Sequence, residues 1–115
     1  MRIVVIGAGG IGGWLGARLA ASGQQIGFLV HGGTLEALRL EGLTLLDGSG
    51  GEPGTVTARI EQPLASDDPD RLVDALDGCP DLVLVTTKVD ALPALAPALK
   101  RLTGPGTGVV STQNG

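Results

Sequence analysis

The feature that most constrains the fold of this chain is a cluster of glycines that begins at its seventh residue. The β-branched run Arg2-Ile3-Val4-Val5-Ile6 comes directly before the cluster and predicts a strand that is buried on both faces. The next segment, Gly7-Ala8-Gly9-Gly10-Ile11-Gly12, satisfies the pattern G-x-G-x-x-G. A strand, a tight glycine turn and a helix are therefore expected in this order at the start of the chain.

The residues after the turn carry the pattern of an amphipathic helix. Ile11, Leu15 and Leu19 recur at every fourth position, and the helix should end near Ser22-Gly23. In such a turn, glycines permit the bend, let backbone amides approach a pyrophosphate and allow the helix to pack closely on the strand. The helix start adds unpaired N–H groups and a positive dipole end. We therefore predict that a dinucleotide pyrophosphate is bound by Gly7, Ala8, Gly9, Gly10, Ile11 and Gly12.

The composition excludes several other classes of function. The net charge is -4, and the sequence has no basic stripe that could bind a nucleic-acid backbone. No apolar run approaches the roughly 18 residues of a membrane span, and the apolar start breaks at Gly7, too early for a signal peptide. A single cysteine, Cys79, leaves no disulfide framework and no cysteine-cluster metal site. We expect a cytoplasmic protein without a metal, nucleic-acid or membrane partner.

Further strands are predicted along the chain. Buried strands are expected at Gln25–Val30, Asp81–Thr86 and Gly108–Thr112. A hairpin is expected from Leu43–Leu46 and Thr55–Ile60, which flank a segment rich in turn residues.

Helices are predicted between these strands. They should cover a short segment around Leu35–Leu40, then Asp70–Leu76, then the periodic leucines of Leu92–Leu102, where Pro93 and Pro97 predict a late start or a kink. Alternation of strands and helices with right-handed crossovers predicts an α/β fold of the doubly wound Rossmann type. It would have a mostly parallel sheet with helices on both faces, as one domain over residues 1–115.

The end of the second strand is where the adenosine ribose is normally recognised. An acidic residue there binds the 2′-hydroxyl of NAD, and a basic residue accommodates the 2′-phosphate of NADP. This sequence has His31 followed by Gly32-Gly33-Thr34. His31 is either a hydrogen-bond donor to that phosphate or an exposed loop residue. The missing carboxylate favours NADPH, with NAD still possible.

Two polar residues follow the other predicted strands at the same edge of the sheet. Lys88 could cover the adenine or pair with a phosphate, and Asn114 could hydrogen-bond a ribose or the substrate. The alternatives are an ordinary surface lysine and an Asn-Gly turn. The acidic residues Asp67, Asp68 and Asp70 are interpreted as a solvated loop and a helix start rather than a catalytic pair.

Four segments together resemble the ketopantoate reductase family. They are Met1–Gly13, Leu35–Arg39, Asp81–Lys88 and Gln113–Gly115, of which the lysine after the strand and the Gln-Asn-Gly are the most specific. The resemblance implies reduction of 2-dehydropantoate, or a related small 2-oxo acid, by NADPH. It also implies that Lys88 lies at the adenosine end and Asn114 near the nicotinamide ribose and the substrate.

This chain departs from the family pattern in two ways. His31 stands where the family commonly has an arginine, which weakens the expected selection for NADPH. The family's general-acid lysine and its acidic substrate-binding residue belong to a helical C-terminal domain that is absent from these residues, so no catalytic residue is assigned and the chain alone is expected to be inactive. A homodimer through that domain stays open, as do two alternatives: the cofactor domain of another two-domain dehydrogenase, and a stand-alone nucleotide-sensing module.

Overall fold

Strand β1 (Arg2–Ile6) lies at the centre of a five-stranded sheet. The computed structural model describes residues 1–7, 16, 18–47, 55–60, 63–86 and 92–111. Residues 3–6 of β1 are buried, and they alternate between two cores, because successive side chains of a strand point to opposite faces. Ile3 and Val5 belong to one core, and Val4 and Ile6 to the other. The predicted strand that is covered on both faces is confirmed.

The sheet is parallel throughout its described strands, as predicted. Strand β2 (Gln25–Leu29) pairs with β1 on one side, and the last two strands of the sheet extend it on the other. Its full order is β5-β2-β1-β6-β7, where β5 is Leu64–Ser66, β6 is Leu82–Val85 and β7 is Gly108–Ser111.

Helices cover both faces of the sheet. Residues 16 and 18–21 are helical, and we call this segment α1. Helix α2 (Gly32–Glu41) packs with α1 on the face of Ile3 and Val5. Helices α3 (Pro69–Ala75) and α4 (Leu92–Leu102) pack on the opposite face. The doubly wound Rossmann-type arrangement is therefore confirmed.

The predicted hairpin is present as a separate antiparallel pair. Strand β3 (Leu43–Asp47) pairs with β4 (Thr55–Ile60), with an irregularity in register between Leu45 and Leu46. Leu43 and Ile60 pack against the core that α1 and α2 cover. The predicted turn between the two strands lies outside the described residues.

Local signals place the helix ends as the sequence suggests. Gly42 ends α2 with a positive φ of 74°, and its N–H donates to the Leu38 carbonyl at 3.1 Å. A left-handed backbone at a helix end favours glycine because it has no Cβ. Asp68 begins α3, since its carboxylate accepts a hydrogen bond from the Asp70 N–H at 2.9 Å.

Several details differ from the sequence-based expectations. Strand β5 was not predicted, because three residues are too short to show a periodic pattern. The predicted burial of β7 is wrong, since Val109 and Val110 are about half exposed on the outermost described strand. Helix α4 begins at Leu92, so its start is not delayed, and it contains Pro97. Strand β2 ends at Leu29 and β6 at Val85, each one residue earlier than predicted.

None of the helices in the described part of the chain has the length and apolar character that a membrane-spanning helix needs.

The close packing of α1 on β2 generates a stability prediction. A Cβ at Gly16 would overlap the ring of the fully buried Phe28. Replacing Gly16 by Ala should therefore lower the free energy of unfolding by about 1–3 kcal/mol, the usual cost of overpacking a core. Urea unfolding followed by circular dichroism measures the change.

Gly33→Ala is the matched control, because no described atom lies within 4 Å of the Cβ that it would add. This variant should be as stable as the parent, or more stable by up to about 1 kcal/mol. Equal unfolding midpoints for the two variants would contradict the proposed packing of α1 on Phe28.

Candidate functional site

The carboxyl ends of the five parallel strands lie level with one another. Ile6 is the register partner of both Leu29 and Val85, and these in turn pair with Ser66 and Ser111. The residue that follows each strand therefore emerges at one common edge. In open α/β sheets this edge is the one that binds ligands.

The strand order opens a crevice at one point along this edge. After β1 the chain continues to β2 on one side, and it returns on the other side at β6. The helix α1 that follows β1 contributes Leu19 to one core, whereas the helix α4 that follows β6 contributes Leu102 to the other. The two helices thus leave the sheet on opposite faces. Such a reversal of strand order is where a doubly wound sheet accommodates a ligand.

The first glycine of the predicted turn lies at this crevice. Gly7 has a φ of 95°, a backbone conformation that favours glycine. Its N–H donates to the Leu29 carbonyl at 3.0 Å, so the start of the turn is tied to β2. On the other side of β1, the Thr86 N–H donates to the Ile6 carbonyl at 3.1 Å, and this bond ties the end of β1 to β6.

Thr86 is a polar residue of this edge that the sequence reasoning did not single out. Its hydroxyl donates to the Ile6 carbonyl at 2.7 Å and lies 3.5 Å from the Gly7 carbonyl. The sequence pattern places Thr86 inside the predicted strand, whereas the structure ends this strand at Val85, so the pattern does not mark Thr86 as a residue of the edge.

His31 lies at the same edge, two residues after β2. It is exposed, and it occupies the N-cap position of α2 with an extended backbone. Its side chain makes no capping hydrogen bond to the described helix. The fully described first turn, Gly32-Gly33-Thr34, carries no acidic side chain, and no described atom lies within 4 Å of a Cβ at Gly33. The start of α2 therefore combines first-turn N–H groups that His31 does not cap with open space around Gly33 among the described residues.

The remaining candidate residues lie outside the described part of the chain. These residues are Ala8, Gly9, Gly10, Ile11, Gly12, Lys88 and Asn114. Lys88 follows β6 and Asn114 follows β7, and both strands end at the edge just described.

The cluster of acidic residues is structural, as the sequence predicted. Asp68 caps α3, and Asp70 in its first turn forms an exposed ion pair with Arg101 of α4 at 2.6 Å. Within the described residues, no group of three or more His, Cys, Asp and Glu side chains could hold a metal ion.

The parallel sheet, the helices on both faces and the crevice beside β1 define a Rossmann-type domain. Residues 3–115 match a family model described as Ketopantoate reductase PanE/ApbA. The chain belongs to this family.

Individual relatives agree with this assignment. The chain is 33% identical, over all of its length, to the 2-dehydropantoate 2-reductase of Mesorhizobium japonicum, of which it covers 32%. A 2-dehydropantoate 2-reductase structure from Geobacter metallireducens GS-15 matches all of the chain at 29% identity with a TM-score of 0.81, and the match covers 34% of that structure. A PanE/ApbA family ketopantoate reductase structure from Ralstonia eutropha JMP134 also matches the whole chain, at 27% identity with a TM-score of 0.76, and 35% of it is covered. The chain thus spans about a third of the length of these relatives.

Proposed function

We propose that this chain is the NADPH-binding domain of an oxidoreductase that reduces 2-dehydropantoate, or a related 2-oxo acid, to the hydroxy acid. The observation that carries the proposal is the crevice between β1 and β6, at which the glycine-rich segment begins with Gly7. Membership of the ketopantoate reductase family supports the substrate class.

The proposed pyrophosphate site works without a positively charged side chain in the turn. The chain has a net charge of -4, so a general electrostatic attraction for an anion is absent. Since the Gly7 N–H is already bonded to Leu29, the backbone N–H groups of residues 8–12 and the positive end of the following helix dipole supply the local attraction instead. Gly9, the second glycine of the motif, is needed because a side chain there would keep the phosphates away from the backbone.

Preference for the phosphorylated cofactor is proposed from the start of α2. An acidic residue that would bind the free 2′-hydroxyl and repel a 2′-phosphate is absent from its described first turn. The uncapped N–H groups and the space beside Gly33 suit a phosphate, and the exposed His31 can add one hydrogen bond. NADPH is therefore favoured, but only modestly over NADH, because an imidazole adds one hydrogen bond where an arginine could pair bidentately with the phosphate.

The proposed roles of the two other polar candidates follow from the resemblance and from the strands that precede them. Lys88, after β6, is assigned to the adenosine end of the cofactor, and Asn114, after β7, to the nicotinamide ribose and the substrate. When bound, the cofactor supplies a hydride to the carbonyl carbon of the 2-oxo acid, and the carbonyl oxygen must receive a proton. No proton donor is assigned among the residues of this chain.

The first prediction concerns the glycine turn. Gly9→Asp should abolish the binding of both NADPH and NADH, because its carboxylate would occupy the space of the pyrophosphate and repel it. Isothermal titration calorimetry measures this binding.

Gln25→Glu is the control for the added charge, since Gln25 is exposed at the opposite, amino edge of the sheet. Its affinity for both cofactors should stay within about two-fold of the parent, because exposed charges beyond a Debye length of roughly 8–10 Å are largely screened. If Gly9→Asp binds as tightly as Gln25→Glu, the glycine turn does not hold the pyrophosphate.

The second prediction concerns His31. His31→Arg should strengthen NADPH binding by about 1 kcal/mol, roughly five-fold, and leave NADH almost unchanged, because a guanidinium can pair bidentately with the 2′-phosphate, whereas an imidazole offers it one hydrogen bond. Isothermal titration calorimetry with NADPH and NADH measures both affinities.

Two outcomes would remove His31 from the adenosine site. One is an NADPH affinity that is equal in the parent and the arginine variant, and the other is an equal gain of the variant for NADH.

The third prediction separates binding from turnover. The 115-residue chain should bind NADPH but not oxidise it when ketopantoate is added, because no proton donor is assigned among its residues and Asn114 is its one residue assigned to the substrate. Absorbance of the reduced nicotinamide follows the reaction, with the cofactor-free chain and ketopantoate-free samples as blanks. Steady oxidation that depends on ketopantoate would show that these residues carry a complete active site.

A further inference from the structure

The hydroxyl of Thr86 occupies the floor of the crevice between β1 and β6. Thr86 directly follows β6 and is half-buried. Two of its hydrogen-bond donors converge on one acceptor, because its N–H and its Oγ1 donate to the Ile6 carbonyl oxygen at 3.1 and 2.7 Å. The same Oγ1 lies 3.5 Å from the carbonyl oxygen of Gly7.

The acceptor belongs to the peptide unit that begins the glycine-rich turn. This unit joins the Ile6 carbonyl to the Gly7 N–H, and it is planar, so fixing either end fixes the orientation of both. Its N–H donates to Leu29 in β2 at 3.0 Å, and its carbonyl accepts from Thr86 beside β6. The peptide is thus held from both neighbouring strands just where the chain leaves β1 with the φ of 95° at Gly7.

Only one of these hydrogen bonds depends on the identity of a side chain. The two backbone bonds continue the ladder of a parallel sheet and would form with any residue except proline. The hydroxyl bond requires serine or threonine at position 86, and threonine also has the β-branched shape that suits the end of a strand.

We propose that Thr86 is a positioning residue for cofactor binding: its hydroxyl fixes the peptide between Ile6 and Gly7, at the start of the glycine-rich segment that is proposed to bind the pyrophosphate. This inference rests on the proposed function, because it assigns Thr86 a role in that same site. Thr86 acts through the backbone and supports NADPH and NADH equally, since both contain the pyrophosphate.

The test compares Thr86→Val with Thr86→Ser in the 115-residue chain. Valine keeps the shape and the N–H but removes the hydroxyl, and we expect it to weaken both cofactors by about three- to ten-fold, the usual range for a lost neutral hydrogen bond. Serine should restore both affinities to within about two-fold of the parent, since its hydroxyl offers the same donor. The ratio of the NADPH and NADH affinities should not change. Affinities are measured by isothermal titration calorimetry, and the amide resonance of Gly7 is followed by NMR.

Thr103→Val is the matched control for a purely structural effect. The Thr103 hydroxyl is half-buried and donates to the Leu99 carbonyl at 2.8 Å, at the end of α4 that precedes the amino edge of β7. Its loss should lower stability but leave both cofactor affinities and the Gly7 resonance unchanged. If Thr86→Val does not fold, Thr86→Ala against Thr86→Ser isolates the same hydroxyl, because both variants lack the methyl group.

The outcomes separate this inference from the proposed function. If the parent binds neither cofactor, the proposed function is wrong and the inference falls with it. If the parent binds but Thr86→Val or Thr86→Ala matches the affinity of Thr86→Ser, only the role of Thr86 is overturned. The role of Thr86 is supported if the variants without its hydroxyl bind both cofactors more weakly and shift the Gly7 resonance. Thr103→Val should do neither.

Discussion

The arrangement of the carboxyl edge depends on the pairing of β1 with a parallel strand on each side. Val4 and Val5 have no solvent exposure, and backbone groups in such a place must be hydrogen-bonded within the protein. Each of the buried side chains of β1 also contributes roughly 1.5–3 kcal/mol of burial free energy. A slip of one residue would move Ile3 and Val5 into the core of Val4 and Ile6, and both cores would lose their packing. The register is therefore fixed, and it brings Gly7, the residues before His31, and Thr86 to the same edge.

Much of this fold could be predicted from the sequence, because the patterns that specify it are local. The β-branched run of β1, the apolar spacing of α2 and the turn residues between β3 and β4 each act within a few neighbouring residues. Strand β5 is different, since it forms only through its pairing with β2. The exposure of β7 also lies beyond local patterns, because Gly-Val-Val-Ser reads the same whether a strand is central or outermost.

The candidate site shows the same division between local and distant causes. The position of His31 could be predicted, because a residue that follows a parallel strand must emerge at the carboxyl edge. The hydrogen bond of Thr86 to Ile6 joins residues 80 positions apart, so no motif in the sequence marks it. It could be anticipated only by combining the strand order with the rule that polar residues at strand ends are candidates for function. Lys88 and Asn114 rest on that rule and on the family resemblance.

In the proposed site, two different kinds of interaction recognise two different parts of the same cofactor. The pyrophosphate is assigned to backbone dipoles, which neither titrate nor change when a surface side chain is replaced. Discrimination of the 2′-phosphate is assigned to the start of α2, where an exposed imidazole and the N–H groups of the first turn carry it. The two assignments lie after different strands, β1 and β2, so a substitution at position 31 can alter the choice of cofactor without disturbing the turn. Because Thr86 acts on the turn from β6, on the far side of β1 from His31, its effect falls on the part of the cofactor that NADPH and NADH share.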